Sequence, residues 1–156
     1  MPNWRDFERE APELAARARH HLDGHEFKIL ATSRKDGSPR VSGIELIFAD
    51  DGELYAGSMW KSVKALDLIR DGRFALHSCP PPADEWKADA KLAGTFTEID
   101  DDAVKQRVVG GEHPPGPFHL FRADLDEVVV VGLNEERTAM VIESWHPGDG
   151  VRRRTR

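Results

Sequence analysis

Apolar residues near the amino terminus recur at intervals of three and four, which gathers them on one face of a helix. They are Phe7, Ala11, Leu14, Ala15, Ala18 and Leu22. Because Pro12 has no backbone N–H and would interrupt a long helix, we expect a short turn first and a main helix with Pro12 in its first turn. Asp23-Gly24 is a typical stop signal. The pattern therefore predicts a helical segment within residues 1–25.

The next part of the chain has the character of β-strands. Three runs, Phe27–Ser33, Val41–Phe48 and Glu53–Ser58, are rich in β-branched and aromatic residues and are separated by short polar segments. Asp36-Gly37 and Asp50-Asp51-Gly52 supply the positive φ angles that tight turns require. Three strands joined by two short turns predict an antiparallel meander.

A helix interrupts the strands after residue 58. Val63, Leu66 and Ile69 mark its period, Ser62 is a suitable N-cap and Gly72 a suitable stop. Beyond it the patterns predict strands over Phe74–Cys79, Lys91–Ile99, Phe118–Leu125, Val128–Leu133 and Thr138–Trp145, a short helix ending at Val109, and a loop from Gly110 to Pro117. Together these elements predict a mainly β fold, a closed antiparallel barrel with accessory helices, in one domain over residues 1–156.

Composition narrows the functional classes. The formal charge of −6 argues against a general nucleic-acid binder. No apolar run is long enough to span a membrane, and the first residues lack the pattern of a secretory signal. The single cysteine, Cys79, is typical of a cytoplasmic protein. Four arginines, Arg152 to Arg154 and Arg156, lie in the tail 147–156. Contact with a phosphate is one interpretation of them, and we expect the other, a solvated and mobile tail.

The start of the helix after the third strand has an unusual charge distribution. Lys61 and Lys64 lie there, and residues 57–66 contain no Asp or Glu. This is unusual because a helix amino terminus carries a partial positive charge and favours acidic residues. The lysines, the hydroxyls of Ser58 and Ser62 and the free backbone N–H groups would together form a phosphate cradle. The alternative is a pair of solvated surface lysines. Neither a Walker motif nor a dinucleotide-binding glycine fingerprint is present.

The order of these elements and several local sequences resemble a known family. The sequences are ATSRKDGSPRV at 31–41, LYAGS at 54–58, KALDL at 64–68 and RFALH at 73–77. They are similar to the pyridoxamine 5′-phosphate oxidase-like, FMN-binding split-barrel superfamily over most of the chain. The resemblance implies a six-stranded antiparallel split barrel, a homodimer with a flavin near the subunit interface, and an oxidoreductase acting on a small organic substrate.

The resemblance also implies site residues. Lys64 matches the phosphate-binding lysine, with Ser62 and Lys61 beside it. The loop along the ribityl chain or the ring is matched by Ser58, Met59 and Trp60, and the strand behind the isoalloxazine by Arg40, Val41 and Ser42. The superfamily also includes proteins that use the deazaflavin F420 and a branch that binds haem, so both remain alternatives to FMN, as does a flavin- or haem-binding protein without turnover. The carboxyl-terminal sequence does not clearly match the arginine and histidine motif of the vitamin B6 oxidase.

No catalytic side chain is assigned, because a flavin carries the redox chemistry itself. Cys79 is expected to be a buried, unreactive thiol. His21 and His25 have the spacing of one helical face, but Gly24 between them argues against a metal site. Trp145, His146 and the 110–117 loop remain candidates for reaching the substrate pocket.

Overall fold

The computed structural model describes residues 2–111, 113 and 115–156. Its helices are α1 (Trp4–Glu10), α2 (Pro12–Leu22), α3 (Val63–Arg70) and α4 (Asp102–Val109). Its strands are β1 (Phe27–Ser33), β2 (Pro39–Phe48), β3 (Leu54–Met59), β4 (Arg73–His77), β5 (Ala88–Glu98), β6 (Phe118–Leu133), β7 (Met140–His146) and β8 (Gly150–Thr155). None of the helices in this part of the chain has the length and hydrophobicity that a bilayer crossing requires.

The strands form an antiparallel sheet in the order β3-β2-β1-β4-β5-β6-β7-β8. The first half of β6 also pairs with β3, from Tyr55↔Arg122 to Met59↔Phe118, and this pairing closes strands β1 to β6 into a barrel. The second half of β6 leaves the barrel and pairs with β7, which pairs in turn with β8. The predicted six-stranded split barrel with accessory helices is confirmed.

The two amino-terminal helices pack against β5 and β6 and contribute to the core. Phe7 is completely buried, and its ring lies 4.9 Å from that of the buried Trp145 on β7. The Trp145 indole N–H donates to Glu10 at 2.9 Å, which satisfies its polar atom inside the core. Trp145 therefore joins the helical segment to β7 through its buried ring.

Strand β6 corrects one prediction. Two strands were expected, Phe118–Leu125 and Val128–Leu133, because Asp126 and Glu127 interrupt the apolar pattern. The structure has one strand of 16 residues with an irregularity at this point. The register passes from Leu125↔Gly94 to Glu127↔Ala93, so Asp126 has no partner on β5. Gly94 allows this close approach, since a Cβ there would lie 2.0 Å from the Asp124 carbonyl oxygen.

Other differences concern the ends of elements. The tail expected to be mobile contains strand β8, although its side chains are exposed. The short turn expected before Pro12 is the helix α1, capped by Asn3. Strand β4 ends at His77, so Cys79 lies after it and is half-buried instead of buried. Of the predicted 110–117 loop, Glu112 and Pro114 lie outside the described residues.

Candidate functional site

The loop between β3 and α3 brings the predicted phosphate-cradle residues together. Ser62 is the N-cap of α3, and its hydroxyl accepts from the Ala65 N–H at 3.3 Å. The Ser58 and Ser62 hydroxyls lie 2.7 Å apart. The backbone N–H groups of Val63 and Lys64 have no acceptor among the residues that the structure describes. The helix start therefore offers two free N–H groups and a pair of hydroxyls.

The two lysines differ in their surroundings. The half-buried Lys64 donates from Nζ to the carbonyl oxygen of Gly43 on β2 at 2.6 Å. Burial lowers the pKa of Lys64, and Glu45 partly opposes this effect. One contact leaves two of the three ammonium hydrogens available. Lys61 is exposed and has a positive φ of 55°, which is uncommon for a residue with a side chain.

The backbone at Lys61 is held by a histidine that sequence reasoning missed. The Lys61 N–H donates to His119 Nε2 at 3.1 Å, so this nitrogen carries no proton. Nδ1 then donates to Glu98 at 2.5 Å. The imidazole is buried, and Trp60 stacks on it with the ring centres 4.5 Å apart. The one signal in the sequence was a histidine inside a strand that is otherwise apolar at that end.

A second group that was missed holds α3 against the barrel. Asp67 is 3% exposed and accepts from Arg40 at 2.7 Å, Thr32 at 2.9 Å and Arg70 at 3.0 Å. Burial acts to raise the pKa of Asp67, but these three donors outweigh it and hold the pKa below its usual value. The Arg40 guanidinium is therefore engaged in an ion pair that orients the helix.

The other predicted β2 residues point to opposite sides of the strand. Ser42 shares a face with its partner Leu30, which is completely buried, and the Ser42 hydroxyl has no hydrogen-bond partner among the described residues. Val41 points outward and is 70% exposed. Val41 therefore points to the outside of the barrel, and Lys64 reaches β2 at the carbonyl oxygen of Gly43.

Val41 is part of a row of small apolar side chains that crosses four strands of the barrel. Successive strand pairings connect Val41 to Ala31, Ala31 to Ala75, and Ala75 to Ala93. Since paired residues point to the same side of a sheet, these four side chains form one row on the outside of the barrel, which we call the outer platform. A row of small side chains leaves room for a planar group to approach the strands.

Larger apolar side chains are exposed around the loop and along α3. Their exposed fractions are 77% for Met59, 49% for Trp60, 57% for Val63, 46% for Leu66 and 49% for Ile69. Apolar exposure concentrated in this way is typical of a surface that binds a ligand or another protein. Met59 and Trp60 also belong to the loop for which the sequence predicted flavin contact.

Comparison with family models gives one match. The model for pyridoxamine 5′-phosphate oxidase matches residues 14–132, about three quarters of the chain. The chain belongs to this family. The match includes the whole barrel up to Gly132 and the loop before α3, and it leaves β7 and β8 outside. No protein in the curated set matches the chain.

Solved structures agree on the fold of this pyridoxamine 5′-phosphate oxidase family member. A pyridoxamine 5′-phosphate oxidase-related, FMN-binding protein from Nostoc punctiforme superposes with a TM-score of 0.63 at 17% identity, covering 90% of this chain and 94% of that one. A haem-binding protein from Mycobacterium smegmatis has a TM-score of 0.65 at 19% identity, covering 86% of this chain and 58% of that one. The conserved hypothetical protein Rv2991 from Mycobacterium tuberculosis has a TM-score of 0.60 at 18% identity, covering 72% and 81%.

Proposed function

We propose that this protein binds FMN and acts as a flavin-dependent oxidoreductase on a small organic substrate. The phosphate would bind at the start of α3, to Lys64, Ser62 and Lys61. Ser58 and Met59 at the end of β3, and Trp60 after it, would contact the ribityl chain or the ring. When bound, the flavin supplies the hydride or electron transfer, and the protein binds and orients it.

The observation that carries the proposal is the set of free donors at the start of α3. Two backbone N–H groups, the remaining hydrogens of Lys64 and the hydroxyl pair of Ser58 and Ser62 lie at the start of a helix that has no acidic residue in its first turn. Such a set suits a dianion, since the N–H groups and the ammonium both favour negative charge. The exposed Trp60 and Met59 next to it suit the apolar part of a flavin.

The same surface supports the proposal of a homodimer. Val63, Leu66 and Ile69 form an exposed apolar stripe on α3. A second copy of the chain would cover this stripe and exclude water from a flavin on the platform, which strengthens the effect of nearby donors. The resemblance described above implies a homodimer with the flavin near the subunit interface. In this chain, the exposed stripe supports the proposal of such a dimer.

The test compares FMN with riboflavin, which has the same ring but no phosphate. Each is titrated into the wild-type protein and into Lys64→Ala, and binding is followed by quenching of flavin fluorescence. We expect Lys64→Ala to weaken FMN binding by about 1.5–3 kcal/mol, the range for a charged hydrogen bond. This corresponds to roughly ten- to hundredfold in Kd. Riboflavin affinity should be the same in both proteins.

The control variant is Lys35→Ala, which removes an exposed lysine from the β1–β2 turn and should leave both affinities unchanged. If the wild-type protein binds neither flavin, the proposed cofactor is wrong. If Lys64→Ala weakens FMN and riboflavin equally, the phosphate does not bind at this lysine. Absorbance of the loaded protein separates FMN from the deazaflavin F420, and reduction followed by transfer to an acceptor tests turnover.

Haem binding is a second candidate, favoured by His77. This residue pairs with Ile29 on one side and Lys91 on the other, so its half-buried ring lies on the outside of the barrel beside the outer platform. Imidazole is the commonest protein ligand of haem iron. Addition of haem should then produce a sharp Soret band that His77→Ala removes. A spectrum identical in wild type and His77→Ala contradicts this candidate.

A further inference from the structure

A groove crosses the outside of the sheet where β5, β6, β7 and β8 lie side by side. Its volume is about 300 Å³, and Lys91, Arg152, Arg154 and Arg156 contribute to its lining. Strand pairings connect Lys91 to Val129, Val129 to Ser144, and Ser144 to Arg152. Side chains from a central strand and from the edge strand therefore point into the same groove. We call it the cationic groove.

The positive charges in this groove are poorly balanced. Among the described residues, no carboxylate lies within ion-pair distance of the charged groups of Lys91 or Arg154. Arg152 contacts Asp149 at 3.3 Å, and both side chains are more than half exposed. The one acidic residue of the lining, Glu127, lies 3.5 Å from His146. Arginines two positions apart on one face repel each other, so a bound anion would relieve the repulsion.

Protection of a free sheet edge is the competing explanation, because charged residues on edge strands prevent aggregation. It accounts for exposed arginines on β8 in general. It does not account for Lys91, which lies on β5 between two paired strands and still faces the groove. The convergence of a central and an edge strand on one concave surface indicates a binding site.

The cationic groove adjoins the outer platform. Lys91 and Ala93 are two residues apart on the same face of β5, so the platform ends where the groove begins. We propose that the cationic groove binds a small polyanion, a ligand with two or more phosphate or carboxylate groups, and that this ligand is the substrate presented to the flavin. Its identity as the substrate rests on the proposed function, whereas the binding of a polyanion does not.

Strand β8 supplies a matched pair of variants. Arg152→Gln/Arg154→Gln removes two charges from the groove face, and Arg153→Gln removes one from the opposite face, where Arg153 pairs with Glu143. Tripolyphosphate and citrate are titrated calorimetrically into the wild-type protein and each variant at fixed ionic strength. We expect the double variant to bind the stronger of the two ligands at least about tenfold more weakly. Arg153→Gln should bind it as the wild type does, apart from a small uniform effect of net charge.

The same ligand is then added to the protein loaded with FMN, with the flavin absorbance recorded. A spectral change in the wild type and in Arg153→Gln, but not in the double variant, supports the substrate assignment. No change while calorimetry still detects binding overturns that assignment and leaves the groove as a separate polyanion site. Failure to bind FMN counts against the proposed function alone.

Three results overturn the groove itself. One is the absence of binding of both polyanions to the wild-type protein. Another is a loss of affinity in Arg153→Gln equal to half the loss in the double variant. Each removed arginine would then have the same effect on either face, which would reflect general charge attraction. The third is much tighter binding of a single-stranded oligonucleotide, which would indicate an extended nucleic-acid surface instead of a site for a small molecule.

Discussion

Substitution of Asp67 by asparagine tests the interaction that holds α3 on the barrel. The change keeps the shape of the side chain and removes its charge. Three donors converge on the carboxylate in the structure, from Arg40, Arg70 and Thr32. Because α3 carries Ser62 and Lys64, a weaker attachment of the helix affects both stability and the proposed anion site.

The expected magnitude follows from the exposure of each partner. Removal of one member of a buried ion pair costs about 3–5 kcal/mol when the remaining charge stays buried. The Asp67 side chain is 4% exposed, but the side chains of Arg40 and Arg70 are 23% and 38% exposed and can regain contact with water. The cost is therefore lower, and we expect Asp67→Asn to lose about 2–3 kcal/mol of unfolding free energy. For a chain of this size that lowers Tm by roughly 5–10 °C.

The pH dependence has a defined sign. The donors from Arg40, Arg70 and Thr32 hold the pKa of Asp67 in the folded protein below its ordinary value, so the ionised carboxylate stabilises the fold. This contribution is present above the unfolded pKa and is lost as the pH falls through the folded pKa. The difference in stability between wild type and Asp67→Asn should be largest near neutral pH and should shrink below about pH 4.

Chemical denaturation followed by circular dichroism, repeated between pH 7 and pH 3, measures this difference. Asp71→Asn is the control: Asp71 also has a lowered pKa, about 2, because of its contacts with Arg73. The Arg73 side chain is 78% exposed, so solvent screens that pair and the midpoint should stay near the wild-type value. A loss below 1 kcal/mol in Asp67→Asn at neutral pH, or a loss independent of pH, would refute the reasoning.

Two further variants test the loop and the proposed dimer. His119→Phe keeps a ring beneath Trp60 but removes the acceptor of the Lys61 N–H; we expect FMN binding to weaken by about three- to tenfold, with riboflavin binding less affected. Equal losses for both ligands in fluorescence titrations would contradict this role. Leu66→Glu places a charge on the exposed stripe of α3 and should raise the dimer dissociation constant at least about tenfold in sedimentation equilibrium. A dimer of unchanged affinity would exclude this stripe from the interface.

The sequence predicted the elements whose causes are local. The meander of β1, β2 and β3 depends on alternating strands and on turns with Gly37 and Gly52, both of which have positive φ in the structure. Ser62 was predicted as the N-cap of α3 because that preference is satisfied within three residues. Lys61, Lys64 and Ser58 were singled out for the same reason, since they lie within seven positions of one another.

The missed features depend on contacts between distant parts of the chain. Arg40 and Asp67 are 27 positions apart, and Lys61 and His119 are 58 apart, so no local pattern connects them. Strand β8 was missed because three successive arginines, Arg152 to Arg154, give no alternation of apolar and polar positions. Its formation depends on the ladder to β7, from Val141↔Thr155 to His146↔Gly150, which is visible only when both strands are in place.

The exposed apolar side chains and the poorly balanced cations both need an explanation, and one arrangement of ligands would account for them together. The outer platform lies between Lys64, whose ammonium contacts Gly43 on β2, and the cationic groove, which begins at Lys91 on β5. A partner subunit alone would account for the apolar side chains, but it would have to bury or leave uncompensated the lysines at its margins. A planar ligand with an anionic group at the α3 end, beside a second anionic ligand in the groove, would satisfy the apolar and the charged positions together. The two proposals together require this arrangement, since a protein interface alone would not balance the cations.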